Sequence, residues 1–274
     1  MVQLRDQVLQ PGAVNRLAAT LDRAAEPAVK GSLLPCLWHW LYFLPEATTS
    51  SLADDGHAKK GDFLPPVPLP RRMWAGSRIE YLSPLCIGDD ARRESTITNI
   101  QSKSSGDNAM IFVSVQHQIF VDDRLAIREE QDIVYRNPAV TNAKAAKTRP
   151  ETLTPEWCEP VRADAVLLFR YSALTFNAHR IHIDREYAMQ EEGYPGLVVH
   201  GPLTATMLLD LMARENSDID VRTLEIRAQK PLFDTQEFRL AGRRDGDGAI
   251  LWADACAGAT AMKIWVNRTD SENG

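Results

Sequence analysis

The sequence predicts an α+β fold made of two tandem copies of one unit, each a curled antiparallel sheet around a buried helix. Three observations carry this. Strand-like runs fall into two blocks, one from Arg78 to Tyr135 and one from Ile226 onward. The order of features in the first block recurs in the second. One segment, Leu203 to Met212, has the helical period yet is apolar on most sides, the mark of a helix wrapped by other structure. With 274 residues, 44% of them hydrophobic, the chain can fill a core and has room for two units of roughly 100–150 residues. The units are expected at 1–145 and 146–274.

In chain order, Asn15 to Asp22 has helical apolar spacing, and Cys36 to Leu44 reads as a buried aromatic strand. From Pro45 to Arg72, five prolines with Gly56 and Gly61 predict a long irregular loop, of the kind that forms lids, binding loops or disordered segments, with its Pro-rich part at 62–72 either a solvated connector or a lid. Strands follow at 78–82, 92–100, 109–121 and 126–135, with a hairpin signal at Ser104-Ser105-Gly106-Asp107-Asn108. Residues 139–159 read as a linker. Ala165 to Phe169 reads as a core strand. The internal repeat has an offset of 147: Ile79, Pro84 and Leu85 recur as Ile226, Pro231 and Leu232. Basic strands, a Gly-Asp turn and an apolar strand then follow in the same order in both halves.

The net charge of −6 and the lack of a basic patch argue against nucleic acid as a partner. No apolar run reaches the roughly 18–20 residues of a membrane span. Met1 to Asp6 lacks the pattern of a signal peptide. Four scattered cysteines (Cys36, Cys86, Cys158, Cys256) without a C-x-x-C predict reduced thiols and a cytoplasmic protein.

Chemistry-bearing residues concentrate in Tyr171 to Asp184, where Asn177, His179, Arg180, His182 and Asp184 fall within eight positions. A second feature is Val198-Val199-His200-Gly201-Pro202. Proline suits the first turn of a helix, so Gly201 is expected at a helix N-terminus with a free N–H that can stabilise an oxyanion. His179 and His182 could bind a metal, but three or four ligands are needed and only Asp184 is near in sequence. No metal is expected.

These residues resemble the active-site motif of the MaoC-like enoyl-CoA hydratases, Asp-x-Asn-Pro-Ile-His followed about twenty residues later by His-Gly. Asn177 stands on the motif's Asp, His179 on its Asn, Arg180 on its Pro, Ile181 on its Ile and His182 on its catalytic His. His200-Gly201 stands on the His-Gly. Phe169 to Asn177, Trp74 to Arg78 and Tyr194 to Pro202 look like the branch that holds mesaconyl-CoA and itaconyl-CoA hydratases and the mitochondrial-type hydroxyacyl-thioester dehydratases. The resemblance spans roughly residues 35–268. It implies a double hot-dog fold with the catalytic motif in the second unit only. Asn177 departs from the pattern, since an amide does not take a proton at neutral pH.

The resemblance implies a hydro-lyase that adds water to a short branched or dicarboxylic enoyl-CoA, itaconyl-CoA or mesaconyl-CoA giving citramalyl-CoA, or that dehydrates a 3-hydroxyacyl thioester. His182 is expected as the base, with Asn177 orienting water and Gly201 N–H polarising the thioester carbonyl. His179 is expected as a second water ligand or a brace. Arg170, Arg180, Tyr171 and His200 are expected around the acyl group; the two arginines are either surface residues or local ion pairs, or, for a C5 dicarboxylic acyl group, bind its carboxylate. Arg227, Lys230, Arg239, Arg243 and Arg244 are a solvated face or a CoA-phosphate site. No cofactor is expected beyond the CoA thioester itself, and a homodimer is possible. The rival readings are a thioesterase using Asp184 and a silent acyl-CoA-binding module.

Overall fold

Alternating side chains set out ten strands, and the computed structural model joins them in one antiparallel sheet. It describes residues 2–23, 26–105, 108–137, 153–255 and 259–268. The expected unit boundary, the Gly106-Asp107 turn residues, most of the expected linker and Cys256 lie outside the described residues. The first run of strands is β1 (Val2–Val8), β2 (Arg71–Tyr81), β3 (Asp90–Ser105), β4 (Asn108–Val121) and β5 (Arg124–Arg136). The second is β6 (Trp157–Val161), β7 (Thr223–Ala228), β8 (Phe238–Asp245), β9 (Gly248–Ala255) and β10 (Thr260–Val266). Among the described residues four α-helices accompany them: α1 (Pro11–Thr20), α2 (Ala165–Leu174), α3 (Arg185–Gln190) and α4 (Gly201–Glu215).

The sheet order is β1-β3-β4-β5-β2-β7-β10-β9-β8-β6. Read outward from the β2–β7 seam, the two runs have the same sequence of strands. The 147-residue offset therefore has a spatial meaning, since Arg78 pairs with its repeat mate Glu225 across the seam. Gly76 sits beside a register shift in β2, and a Cβ there would lie 2.0 Å from the Ile226 carbonyl oxygen, so the seam requires glycine at this point.

α4 packs on β6, β8, β9 and β10. Leu203 through Leu209, Leu211 and Met212 are all buried, as the nearly all-round apolar pattern predicts. Each fully buried Leu or Met side chain stabilises the fold by about 1.5–3 kcal/mol. The core runs without a break into the first unit through Ile79, Ile87, Ile119 and Ile127.

Two expected strands are not strands. Cys36 to Leu44 forms a 3₁₀ turn at Trp38–Leu41, flanked by Leu37 and Phe43 with φ of 68° and 56°. Those left-handed residues break an extended run, while Trp38, Tyr42 and Phe43 are still buried. Ala165 to Phe169 begins α2. Asp164 caps that helix by accepting the Leu167 N–H at 2.8 Å. Leu168, Tyr171 and Ser172 face inward at helical spacing, and Val166 and Phe169 are exposed. The polar cluster thus follows a helix end. β1, residues 71–77 of β2, β6 and β10 are strand that the sequence pattern did not mark, and Trp157 to Glu159 of β6 fall in the expected linker, where alternating burial makes them strand.

Candidate active site

A sharp helix exit starts the site. At the end of α2, Asn177 N–H bonds to Ser172 O (2.8 Å) and Phe176 N–H to Ala173 O (3.4 Å), with Phe176 at φ +49°. This is the left-handed closure that reverses a chain after a helix. Asn177 Oδ1 then accepts His179 N–H at 3.0 Å. A 3₁₀ turn at Arg180–His182 follows. Val198 N–H bonds back to Ile181 O (2.9 Å), drawing the entry to α4 alongside.

His182 is buried, and its Nδ1 lies 2.7 Å from Val198 O. A carbonyl only accepts, so Nδ1 carries the hydrogen and Nε2 keeps a free lone pair. Burial pushes its pKa down to about 4, with the Val198 hydrogen bond opposing. His200 precedes α4 and stacks on His182, ring centres 3.7 Å apart at 21°. Its Nε2 meets Ser172 Oγ at 2.8 Å, and Tyr171 packs edge-on against it at 5.0 Å. Gly201 opens α4, where the first N–H groups have no partner within the helix. A Cβ at 201 would meet the Trp74 ring at 2.8 Å, so glycine lets β2 of the first unit close over this end.

His179 stands edge-on to His182, ring centres 5.4 Å apart. Its other neighbour is His57, at 3.9 Å, from the loop of the first unit. Four of the six histidines therefore form one row, 57–179–182–200. His57 Nδ1 bonds to Asp55 Oδ2 and His57 N–H to Asp55 Oδ1, both at 2.9 Å. Burial lowers the pKa of His57 while Asp55 opposes that shift. Burial works against ionising Asp55, but the His57 hydrogen bond and charge outweigh it and hold the carboxyl well below its usual range. Arg72 on β2 is close enough to depress both His57 and His179.

The structure thus brings His182, His179, His200, Tyr171 and Gly201 together, with Asn177 in the turn before them. Arg180 is otherwise engaged: its guanidinium bonds to Asp184 (2.7 and 3.0 Å) and to Asp54 O (3.2 Å). Arg170 lines a groove of about 520 Å³ between α1 and α2 with Arg16, Leu41 and Phe169, and none of the row histidines lines it. Asp184 caps α3 through Oδ1 and holds Arg180 through Oδ2, so both oxygens that a hydrolytic reading would use are committed. Arg227, Arg239 and Arg244 pair with Glu225, Asp254 and Asp218.

The family model for hydroxyacyl-thioester dehydratase type 2 matches residues 37–234, a span that takes in the loop and the whole row. The chain is 48% identical over 267 residues to mesaconyl-C(4)-CoA hydratase of Chloroflexus aurantiacus, covering 96% of this chain and 94% of that one. The chain belongs to the hydroxyacyl-thioester dehydratase type 2 family. The mitochondrial family member of Schizosaccharomyces pombe is 25% identical over 248 residues, 79% of each chain. HtdX of Mycobacterium tuberculosis superposes with a TM-score of 0.72 at 15% identity, covering 97% and 98% of the two chains. A second Mycobacterium tuberculosis protein, with a double hot-dog fold, superposes at 0.59 with 11% identity over 97% and 94%. The fold is accordingly the double hot-dog, and the activity is that of a hydro-lyase on acyl thioesters.

Asp55, His57 and Arg72 lie beside this row and were not among the sequence candidates, and Trp74, noted only within a run resembling the family branch, covers Gly201. The signal for the loop pair was Gly56: its φ is +88° and a Cβ there would lie 1.9 Å from Ala178 O. A glycine in so tight an approach marks where the loop presses on the catalytic segment. Asp55, His57 and His179 each offer a ligand atom within 4.8 Å of the others, a donor set that could hold a divalent transition metal. Among the described residues no helix is long and apolar enough to cross a membrane.

Proposed function

We propose that the chain hydrates mesaconyl-C4-CoA, or an enoyl-CoA with the same carboxylated C3, to citramalyl-CoA. The observation that carries the reading is the His182 imidazole, held through Nδ1 so that Nε2 is free, beside a helix N-terminus that begins with Gly201. The similarity to a mesaconyl-C(4)-CoA hydratase supports the substrate.

In this substrate C2=C3 is conjugated to the thioester. His182 Nε2 takes a proton from water while the water oxygen bonds to C3. The C2=C3 electron pair shifts toward the thioester oxygen, whose growing charge is met by Gly201 N–H. The proton then passes from His182 to C2 as the carbonyl re-forms, so one water is added and the base is restored. Asn177 orients the water, His179 braces the turn, and His200 and Tyr171 fix the His182 ring. Arg72 is the cation proposed for the carboxylate on C3. The enzyme is read as cytoplasmic, with free acyl-CoA as its partner. A homodimer belongs to the same reading, supported by the exposed Val2, Leu4 and Val8 on edge strand β1.

The test is a panel of enoyl-CoA thioesters with and without a carboxylate on C3, assayed for loss of the conjugated-thioester absorbance. Preference for mesaconyl-C4-CoA, lost in Arg72→Gln, is expected. Equal turnover of crotonyl-CoA by the unmodified enzyme would reject the substrate assignment.

A further inference from the structure

Taking a proton from water leaves a positive charge on a buried imidazole. Behind His182 stands a carbonyl, which orients the ring but carries no full charge. Position 177, which stands on the Asp of the hydratase motif that the sequence resembles, holds an amide, and its Oδ1 is already used by His179 N–H.

The first unit sends a carboxylate to the same place. Residues 52–58 form a tight reversal, closed by the Leu52↔Ala58 bridge and by Gly56 N–H on Ala53 O (2.9 Å). Its tip is fixed to the catalytic turn by Arg180 N–H on Asp55 O (2.9 Å), by the Arg180 side chain on Asp54 O (3.2 Å) and by the contact of Gly56 with Ala178. Both oxygens of Asp55 are turned to His57, whose ring lies against His179. About a fifth of the Asp55 and His57 side-chain surface stays open, 23% and 22%.

We propose that Asp55 and His57 supply the carboxylate function that position 177 lacks: a positioning pair, delivered by the loop, that balances the charge gained by His182. The proposal rests on reading His182 as the base. While His182 holds the proton from water, the charged groups facing the row are Asp55 from the loop and Arg72 from β2, with His179 and His200 neutral. Asp55 opposes the new charge through His57 and His179; Arg72 adds to it. When the proton moves on to C2 the row is neutral again, and Asp55 and His57 end the cycle as they began.

The same residues could instead hold a cation, since their ligand atoms lie within 4.8 Å of one another. Both Asp55 oxygens already accept from His57, and the His57 and His179 rings are tilted at 40° with centres 3.9 Å apart, so the chelator arm below decides between the two readings.

The experiment compares the wild type with Asp55→Asn, His57→Gln and the double variant Asp55→Asn/Asn177→Asp, with melting curves as the check on folding. Asp55→Asn and His57→Gln should lower kcat at least tenfold with KM within about twofold. The acid limb of the kcat/KM profile should move to lower pH in Asp55→Asn, because His182 without its counter-charge is harder to protonate. The double variant should regain most of the lost kcat, an outcome that a merely structural loop would not give. Normal kcat in both single variants, or a loss with neither the pH shift nor the rescue, overturns the proposal while leaving the hydratase reading intact. Stoichiometric metal whose removal by a chelator abolishes turnover would also overturn it. Failure of the wild type to hydrate any thioester of the panel would overturn both readings.

Discussion

Replacing His182 by alanine tests the chemistry at one atom. The Nε2 lone pair is the proposed acceptor of the water proton, and general base catalysis contributes about a hundredfold to ten-thousandfold. That range corresponds to about 2.7–5.5 kcal/mol on the barrier. Alanine also removes the donor that Val198 O meets at 2.7 Å, and an unpaired buried carbonyl costs about 1–3 kcal/mol of stability. His182→Gln separates the two effects, since a side-chain amide can still donate to that carbonyl but is no base. Both variants should lose at least a hundredfold in kcat on mesaconyl-C4-CoA, followed by absorbance of the conjugated thioester. Only His182→Ala should show a clearly lowered melting temperature. A folded His182→Gln enzyme turning over within tenfold of the wild type would refute the assignment of the base.

Other perturbations read the surrounding frame. Asn177→Asp keeps an oxygen for His179 N–H and restores the motif carboxylate, so steady-state rates on simple enoyl-CoAs should hold or rise; complete loss would reject its placement in the water site. Gly201→Ala drives a methyl toward the Trp74 ring at 2.8 Å, and the displaced helix start should lower kcat at least tenfold; an unchanged rate would remove Gly201 N–H from the mechanism. His117 and His182 titrate at about 4 in the folded chain against 6.5 unfolded, in both cases chiefly through burial. The unfolded state therefore binds their protons first as pH falls from about 6.5 to 4, and stability falls by up to about 1.4 kcal/mol per histidine per pH unit. Urea midpoints should drop across that window and level off above it; a flat profile would contradict the burial of these rings.

The segments that the sequence made legible are those whose pattern has one cause. α4 is apolar nearly all round because structure surrounds it, and β3 to β5 alternate because each has two distinct faces. The catalytic turn was legible because Asn177, His179 and His182 are close in sequence and meet a helix start that Gly201-Pro202 announces. Ala165 to Phe169 misled because a short apolar run suits strand and helix equally. Its cap at Asp164 and the exposure of Val166 and Phe169 decide for a helix. Cys36 to Leu44 misled because an aromatic run can be buried without being extended. Of the two readings of Arg180, the local ion pair is the one the structure shows, its partner being Asp184 four residues on. Asp55 and His57 were hidden because more than a hundred residues separate them from His179.

That separation shows why the first unit matters although it lacks the motif. Trp74 of β2 covers the start of α4, and the Trp74 indole N–H bonds to Ser77 Oγ at 3.3 Å. Ser77 donates in turn to Glu129 at 2.9 Å, and Glu129 also receives bonds from His39, Trp40 and Gln131. Burial resists ionisation of Glu129, but these partners hold its pKa at about 2, so it stays charged and anchors β2, β5 and the 3₁₀ turn together. An anchor on three elements of the first unit thus sets the height of Trp74 above Gly201, while the loop sets Asp55 and His57 beside His179. In the proposed mechanism the second unit supplies the reacting groups, and the first supplies the roof and the counter-charge.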